Sequence, residues 1–353
     1  MGGAIRNQRG VALLMILWVV VLLMAMVTEF SSSMRLEALG ASNHKEETAA
    51  YYLALAGKEN ALALLAGRQA DEEEQVGTWV DDGEGLFFKR YEGEAGGTIS
   101  IIATEDERRG RKEGYPFAGG RYGFRLRDEG AKINLNTATR EVLVALLRYS
   151  GVEAPVDRDT IADSILDWVD TDRNHHLNGA EDSYYESLDP PYQAKNDKFD
   201  SPEELLLIRG MTPEILYGSP GNRAGSAPSE RLLGNGKTTG IYPYLTVVGE
   251  SEEINLNTAP EIVLRAIGVK EAEIAETMRH RVDEPPYEPT DLPNWTLEPL
   301  LLDVGVSSPA YFSLEAWGRV KGSPVVRRIR AILKREDDPE KPFTIFYWDD
   351  NQI

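Results

Sequence analysis

The sequence predicts an α+β protein. A long N-terminal helix, apolar in its first part and amphipathic in its second, packs on an antiparallel sheet, and a large, mainly helical segment interrupts that sheet. Three observations carry this reading. An uncharged run extends from Val11 to Thr28. Strand-like alternation occurs around 122–127 and returns only after residue 310. Between them one short motif occurs twice, 121 residues apart.

The uncharged run, VALLMILWVVVLLMAMVT, is eighteen residues long. As a helix it reaches about 27 Å, close to the hydrocarbon thickness of a bilayer. Arg6 and Arg9 precede it and Glu29 follows. The positive-inside rule therefore leaves the first ten residues in the cytoplasm and sends the bulk of the chain outward. A cleavable secretory signal would need a shorter apolar region and a small-x-small site beyond it. Met26-Val27-Thr28-Glu29-Phe30 offers none, so the span is expected to stay attached as a single-pass anchor over 11–30. A glycine, Gly10, closes the basic leader on the cytoplasmic side. Leader, glycine, Val11 and uninterrupted helix resemble the class III leader of type IV pilins and pseudopilins. In that family a prepilin peptidase cuts after the glycine and methylates the new N-terminus, which here is Val11. The family's usual glutamate at the fifth mature position is replaced by Met15.

Residues 31–67 continue the helix, with Tyr51, Leu55, Leu62 and Leu65 as an apolar stripe and Lys45, Glu46, Glu47, Lys58 and Glu59 on the wet side. Gly67 is a candidate stop, and an acidic loop is expected from Asp71 to Glu74. Strand-like runs follow at Thr98–Thr104 and Tyr122–Arg127, the second alternating Tyr122, Phe124 and Leu126 against Gly123, Arg125 and Arg127. Equivalent runs recur at Tyr311–Val320, Val325–Leu333 and Phe343–Trp348. The sheet is thus split in sequence. The expected divisions are a leader over 1–10, a membrane helix over 11–30, sheet core over 31–130 and 306–353, and an inserted helical segment over 131–305.

Inside the insert, Lys132-INLNTATREVLVALL and Glu253-INLNTAPEIVLRAI align. Each copy reads as a short strand, an Asn-Thr-Ala turn and a helix. Thr258 with Glu261 has the spacing of a capping box, and Pro260 suits a first helical turn. In the first copy Asn136 or Thr137 can cap, while Arg140 stands where the acid would be. Gly151-Val152, Ile208-Arg209-Gly210-Met211 and Ile267-Gly268-Val269 follow helical stretches and resemble the turns of helix-hairpin-helix modules, which grip DNA phosphate. The second glycine of such turns is missing, with Glu153, Thr212 and Lys270 in its place. Residues 218–240 are a loop by composition.

One metal site follows from spacing. Asp170, Asp172 and Asn174 occupy positions 1, 3 and 5 of a loop, Asn178 position 9 and Glu181 position 12, as in an EF-hand-type Ca²⁺ loop. His176 at position 7 would offer its carbonyl. His175 stands where that loop type has glycine. Oxygen ligands favour Ca²⁺, while His175 and His176 leave zinc or another transition metal open.

The 353 residues carry a formal net charge of −20. Such a surface repels nucleic-acid phosphate and attracts divalent cations. There is no cysteine, which excludes a disulfide scaffold, a thiolate metal site and a cysteine nucleophile. No Gly-x-Ser-x-Gly, Walker loop or His-Glu-x-x-His occurs, and His44 and His280 stand alone, so no enzyme is expected.

Taken in order, the leader, the missing glutamate, the split sheet, the two Asn-x-Asn-Thr-Ala copies and the acidic segment from Asp167-Trp168-Val169-Asp170 to Tyr185 resemble type II secretion protein K. So do Tyr184-Tyr185-x-x-Leu188-Asp189-Pro190-Pro191-Tyr192 and Ser201-Pro202-Glu203-Glu204-Leu205. The resemblance spans nearly the whole chain. It implies a pilin-like core carrying a helical insert, a place at the tip of a periplasmic pseudopilus beside minor pseudopilins I and J and above the major pseudopilin, and an inner-membrane anchor. It also implies calcium in the insert, with Asp167, Asp170, Asp172, Glu181 and Asp182 as the matching carboxylates. The alternative is a membrane-anchored DNA-uptake protein using its hairpin modules; the acidic surface argues against nucleic acid.

Overall fold

The structure is a computed structural model that describes residues 8–73, 77–81, 86–91, 99–100, 114–219, 239–249, 253–284, 286–290, 292–297, 299–336, 338 and 341–352. Its first element is a single helix, α1 (Gln8–Glu73). Every residue from 13 to 45 is exposed, and burial begins at Ala50. The exposed stretch is the apolar one, with Leu13, Trp18, Met24 and Phe30 all 60 % exposed or more. The helix runs through Gly67 to Glu73, so the expected stop and most of the acidic loop are helical instead. A lone glycine without a following αL turn does not end a helix.

The packed half of α1 buries Ala50, Leu53, Ala54, Gly57, Ala61 and Leu65, while Tyr51, Leu55 and Leu62 are only half-buried. The stripe is therefore built from smaller residues than the sequence pattern selects. The reason is close approach to the sheet. A Cβ on Gly318 would lie 2.1 Å from the Ala50 carbonyl oxygen, and one on Gly57 would lie 2.9 Å from the Gly123 oxygen.

Three strands follow α1 as a separate antiparallel sheet, β1 (Gly77–Asp81), β2 (Leu86–Tyr91) and β3 (Ile99–Ser100). The remainder of the predicted 98–104 run lies outside the described residues. The main sheet begins with the hairpin β4 (Tyr115–Phe117) and β5 (Gly120–Asp128). The insert then supplies two-residue strands β6 (Ile133–Asn134), β7 (Leu245–Thr246), β8 (Ile254–Asn255) and β9 (Val304–Gly305). Beyond it come β10 (Tyr311–Val320), β11 (Val326–Arg335) and β12 (Phe343–Gln352). The five-stranded order is β12-β11-β10-β5-β4, antiparallel throughout. The split expected from sequence is thus closed in space, because β5 pairs with β10 across the insert, Leu126 opposite Leu314. Leu126, Phe312, Leu314, Ala316, Ala331 and Leu333 face α1 and form one core with Ala61, Leu65 and Trp79.

A second core lies wholly between Ile133 and Val304. Its helices are α2 (Arg140–Tyr149), α3 (Pro155–Val169), α4 (Asp182–Tyr185), α5 (Pro213–Tyr217), α6 (Glu261–Ala266) and α7 (Glu271–Asp283). The sequence repeat is a structural repeat. β6 pairs in parallel with β7, and β8 with β9. In each copy the first asparagine closes the turn on itself, Asn134 accepting from the Asn136 amide and Asn255 from the Asn257 amide. The second asparagine binds a distant backbone. Asn136 accepts from the Phe199 amide at 2.7 Å and donates to the Val247 carbonyl, and Asn257 both accepts from and donates to Tyr287.

Neither Asn136 nor Thr137 caps α2, and Thr258 does not cap α6, whose capping position is Pro260. Thr258 instead donates to Asp128 Oδ2 at 2.6 Å, where Asn255 also donates at 2.8 Å. This buried cluster ties the end of β5 to the second repeat. The turns after α2 and α6 are Schellman caps. Gly151 and Gly268 have φ of 97° and 104°, and the Gly151, Val152, Gly268 and Val269 amides bond to helix carbonyls. Amides consumed this way are not presented to a phosphate.

Candidate metal centre

The C-terminal end of α3 and the loop after it carry the predicted site. α3 places Asp163 and Asp167 one turn apart on a single face, both buried. Beyond Val169 the chain leaves the helix at Asp170, passes through an exposed tip at 171–177, and returns to bury Gly179, Ala180 and Glu181. Two groups of ligand atoms come within 4.8 Å of one another, Asp167 with Asp170 and His176, and Asp170 with Asp172 and Glu181. Asp170 is common to both.

The carboxylates lack partners that would explain their burial. Among the described residues, Asp167 Oδ2, Asp170 Oδ1 and both oxygens of Glu181 have no hydrogen-bond donor, although Asp167 is fully buried and Glu181 only 4 % exposed. Unpaired carboxylates in that position are costly. Loss of solvent pushes the Glu181 carboxyl up to about 7, helped by the negative charges of Asp167, Asp170 and Asp182. Desolvation and the neighbouring Asp172 and Asp167 raise Asp170 as well. Asp167 Oδ1 accepts from the His176 backbone amide at 2.9 Å and meets its Nδ1 at 2.5 Å, a contact that raises the imidazole pKa.

The other predicted ligands lie at the margin. Asn174 donates to Asp172 Oδ1 through its backbone and side-chain nitrogens. Asn178 donates to Asp163 Oδ2 through both of its nitrogens. Asp182 accepts from the Ala194 amide and lies 3.9 Å from Arg173. Positions 1, 3 and 12 of the loop therefore meet in space, while positions 5 and 9 brace the loop. Gly10 and Val11, the predicted processing site, fall in the helical backbone at the start of α1.

Several residues that spacing did not single out complete the site. Asp163 ties the loop to the first repeat, because Arg140 donates to it at 2.5 Å and to Asp159 at 2.8 Å. Arg140, which breaks the capping pattern in sequence, is thus an ion-pair partner of α3. Arg209 lies over the Tyr184 ring at 4.9 Å and donates to the Gly179 carbonyl at 3.0 Å. Behind the loop Tyr185 is buried between Trp168 and Tyr192, with ring centroids at 5.4 and 5.2 Å. The tyrosine-rich segment after the loop is thus its packing floor.

Residues 125–217, which include this whole centre, match the family model described as Type II secretion system (T2SS), protein K. A putative type II secretion system protein K of Escherichia coli K12 is 27 % identical over 274 residues, 72 % of this chain and 67 % of that one. The corresponding protein of Klebsiella pneumoniae is 29 % identical over 257 residues, 71 % of this chain and 67 % of its own length. Over most of its length the chain is thus similar to type II secretion protein K. That of Aeromonas hydrophila reaches 38 % identity over 92 residues, 26 % of this chain and 27 % of its own. A solved GspK-GspI-GspJ complex from enterotoxigenic E. coli aligns at 18 % identity with a TM-score of 0.46, covering 68 % of this chain and 82 % of that one.

Proposed function

We propose that this chain is a type II secretion protein K, a minor pseudopilin that caps the periplasmic pseudopilus together with minor pseudopilins I and J and supports its assembly on the major pseudopilin. The carrying observation is α1 itself. One helix joins an apolar stretch, exposed from residue 13 to 45, to a half that lies on an antiparallel sheet. The exposed stretch contains a window of mean hydropathy 2.5, suited to a bilayer. In this reading it anchors the chain in the inner membrane, with the N-terminus cytoplasmic and sheet and insert periplasmic. Met15 supplies no carboxylate to pair with the N-terminal amine of a subunit ahead of it, which favours a position with nothing ahead.

The insert holds Ca²⁺ in the same proposal. Asp167, Asp170, Asp172 and Glu181 would bind it, and their partnerless buried oxygens fit a hard cation. The ion would neutralise the mutual repulsion of these carboxylates and join α3 to α4.

N-terminal sequencing and intact mass of the protein from membranes of a host with an active prepilin peptidase test the reading. A mature chain beginning at N-methylated Val11 is expected, and Gly10→Leu should retain the leader. A wild-type chain that keeps residues 1–10 in such a host contradicts it.

A further inference from the structure

The face of the main sheet turned away from α1 has the opposite charge character to the chain as a whole. Alternation along β5, β10 and β11 puts Leu126, Leu314 and Ala331 under α1 and their neighbours on the other side. Across the strands those neighbours form two rows. One runs Arg125, Glu315, Arg330, Asp349, and the other Arg127, Ser313, Ile332, Tyr347. With Arg121, Arg319, Arg328 and Lys334 on the same face, cations outnumber acids in a protein of net charge −20.

Where the insert segments 200–203 and 242–248 approach this face there is a cavity of about 250 Å³. Arg127, Arg330, Ser313, Tyr242, Phe346 and Tyr347 are among its lining. Its acids are already engaged. Glu203 accepts from the Tyr242 hydroxyl at 2.7 Å, Glu129 pairs with Lys132, Asp200 accepts from Lys195 at 2.7 Å, and Glu315 lies 4.0 Å from Arg328. Among the described residues no carboxylate comes within 4.0 Å of the Arg127 or Arg330 guanidinium. Arg330 is held over the Tyr242 ring at 5.6 Å, and Phe346 at the rim is 61 % exposed.

We infer that this cavity is a docking site for an acidic segment of another protein, which inserts one apolar side chain between the aromatic walls and sets carboxylates against Arg127 and Arg330. The volume decides the ligand class. It is smaller than typical cofactor pockets and has room for one anchoring side chain. Arginine and tyrosine around a half-buried pocket are the composition of interface hot spots. The walls come from both sheet and insert, so the site is concave, which suits a protruding segment better than a flat lipid surface.

The test uses the full chain in detergent and a short fluorescent peptide of glutamates flanking one phenylalanine. Its counterparts carry glutamines for the glutamates or alanine for the phenylalanine, and phosphatidylglycerol vesicles form a separate arm. The acidic aromatic peptide should bind with a salt-dependent affinity, and Arg127→Gln with Arg330→Gln should weaken it at least about tenfold. Ser313→Phe, which fills the cavity without altering charge, should weaken it too, and thermal melting reports whether each variant is folded. Equal binding of the glutamine peptide, indifference of folded variants, or arginine-dependent binding of the vesicles alone would overturn the proposal.

Discussion

Gly179 lies directly against the Asp167 carboxylate, so that a Cβ at residue 179 would stand 1.8 Å from Oδ2. That oxygen is one of those without a partner. The glycine therefore keeps open the space in front of a buried, partnerless carboxylate oxygen. Gly179→Ala should displace Asp167 or the returning loop and weaken Ca²⁺ affinity by at least about tenfold, equivalent to about 1.4 kcal/mol. Isothermal titration of the variant beside the wild type checks this.

Calcium itself should stabilise the insert. An ion that binds only the folded form adds about 2.7 kcal/mol at a hundredfold excess over its dissociation constant. The melting temperature should rise in millimolar Ca²⁺ and fall with chelator. Glu181→Gln should lose most of that response while the α1–sheet core, monitored by the fluorescence of Trp348, stays folded.

Asp128 predicts a pH dependence. Burial raises its pKa from 3.8 to about 6, with Thr258, Gly130 and Asn255 opposing the shift. The folded state thus binds a proton more tightly than the unfolded state does. This group's contribution is fully present below pH 3.8 and is lost as pH rises through about 6, a difference of about 3 kcal/mol. Asp128→Asn removes the titration. The wild-type-minus-variant stability difference, measured by urea unfolding in saturating Ca²⁺, should therefore move against the wild type between pH 4 and 7.

The repeat asparagines make a comparative prediction. Asn257 is 1 % exposed and satisfies both the amide and the carbonyl of Tyr287. Asn257→Ala would orphan two buried backbone groups and should cost about 2–4 kcal/mol. Thr137→Ala, at an exposed position in the equivalent turn, should change stability by less than about 0.5 kcal/mol. Denaturant midpoints of the two variants distinguish a structural repeat from a decorative one.

Local pattern made much of this legible. Period-two alternation placed β10 to the residue and β5 within two residues at its start, because a half-buried strand must alternate. The Asn-x-Asn-Thr-Ala copies are visible as a repeat, and the oxygen-rich spacing from Asp170 to Glu181 marks carboxylates that the fold brings within 4.8 Å of one another. What escaped the reading depends on partners distant in sequence. Thr258 has the spacing of a cap, yet its hydroxyl serves Asp128, 130 residues away. Asn178 occupies a ligand position but bonds to Asp163. Asp163, which spacing passes over, carries its signal in standing four residues before Asp167 on the same helix face. The α1 stripe misled because close helix–sheet contact selects alanine and glycine, which hydrophobic periodicity passes over.

Assembly with minor pseudopilins I and J is the core of the proposed role. The direct measurement is native mass spectrometry of the mature chain co-purified in detergent with minor pseudopilins I and J of the same secretion system, in the presence of Ca²⁺. One complex holding a single copy of each of the three is expected. Absence of association with either partner, or self-assembly of this chain into a repeating filament, would contradict it.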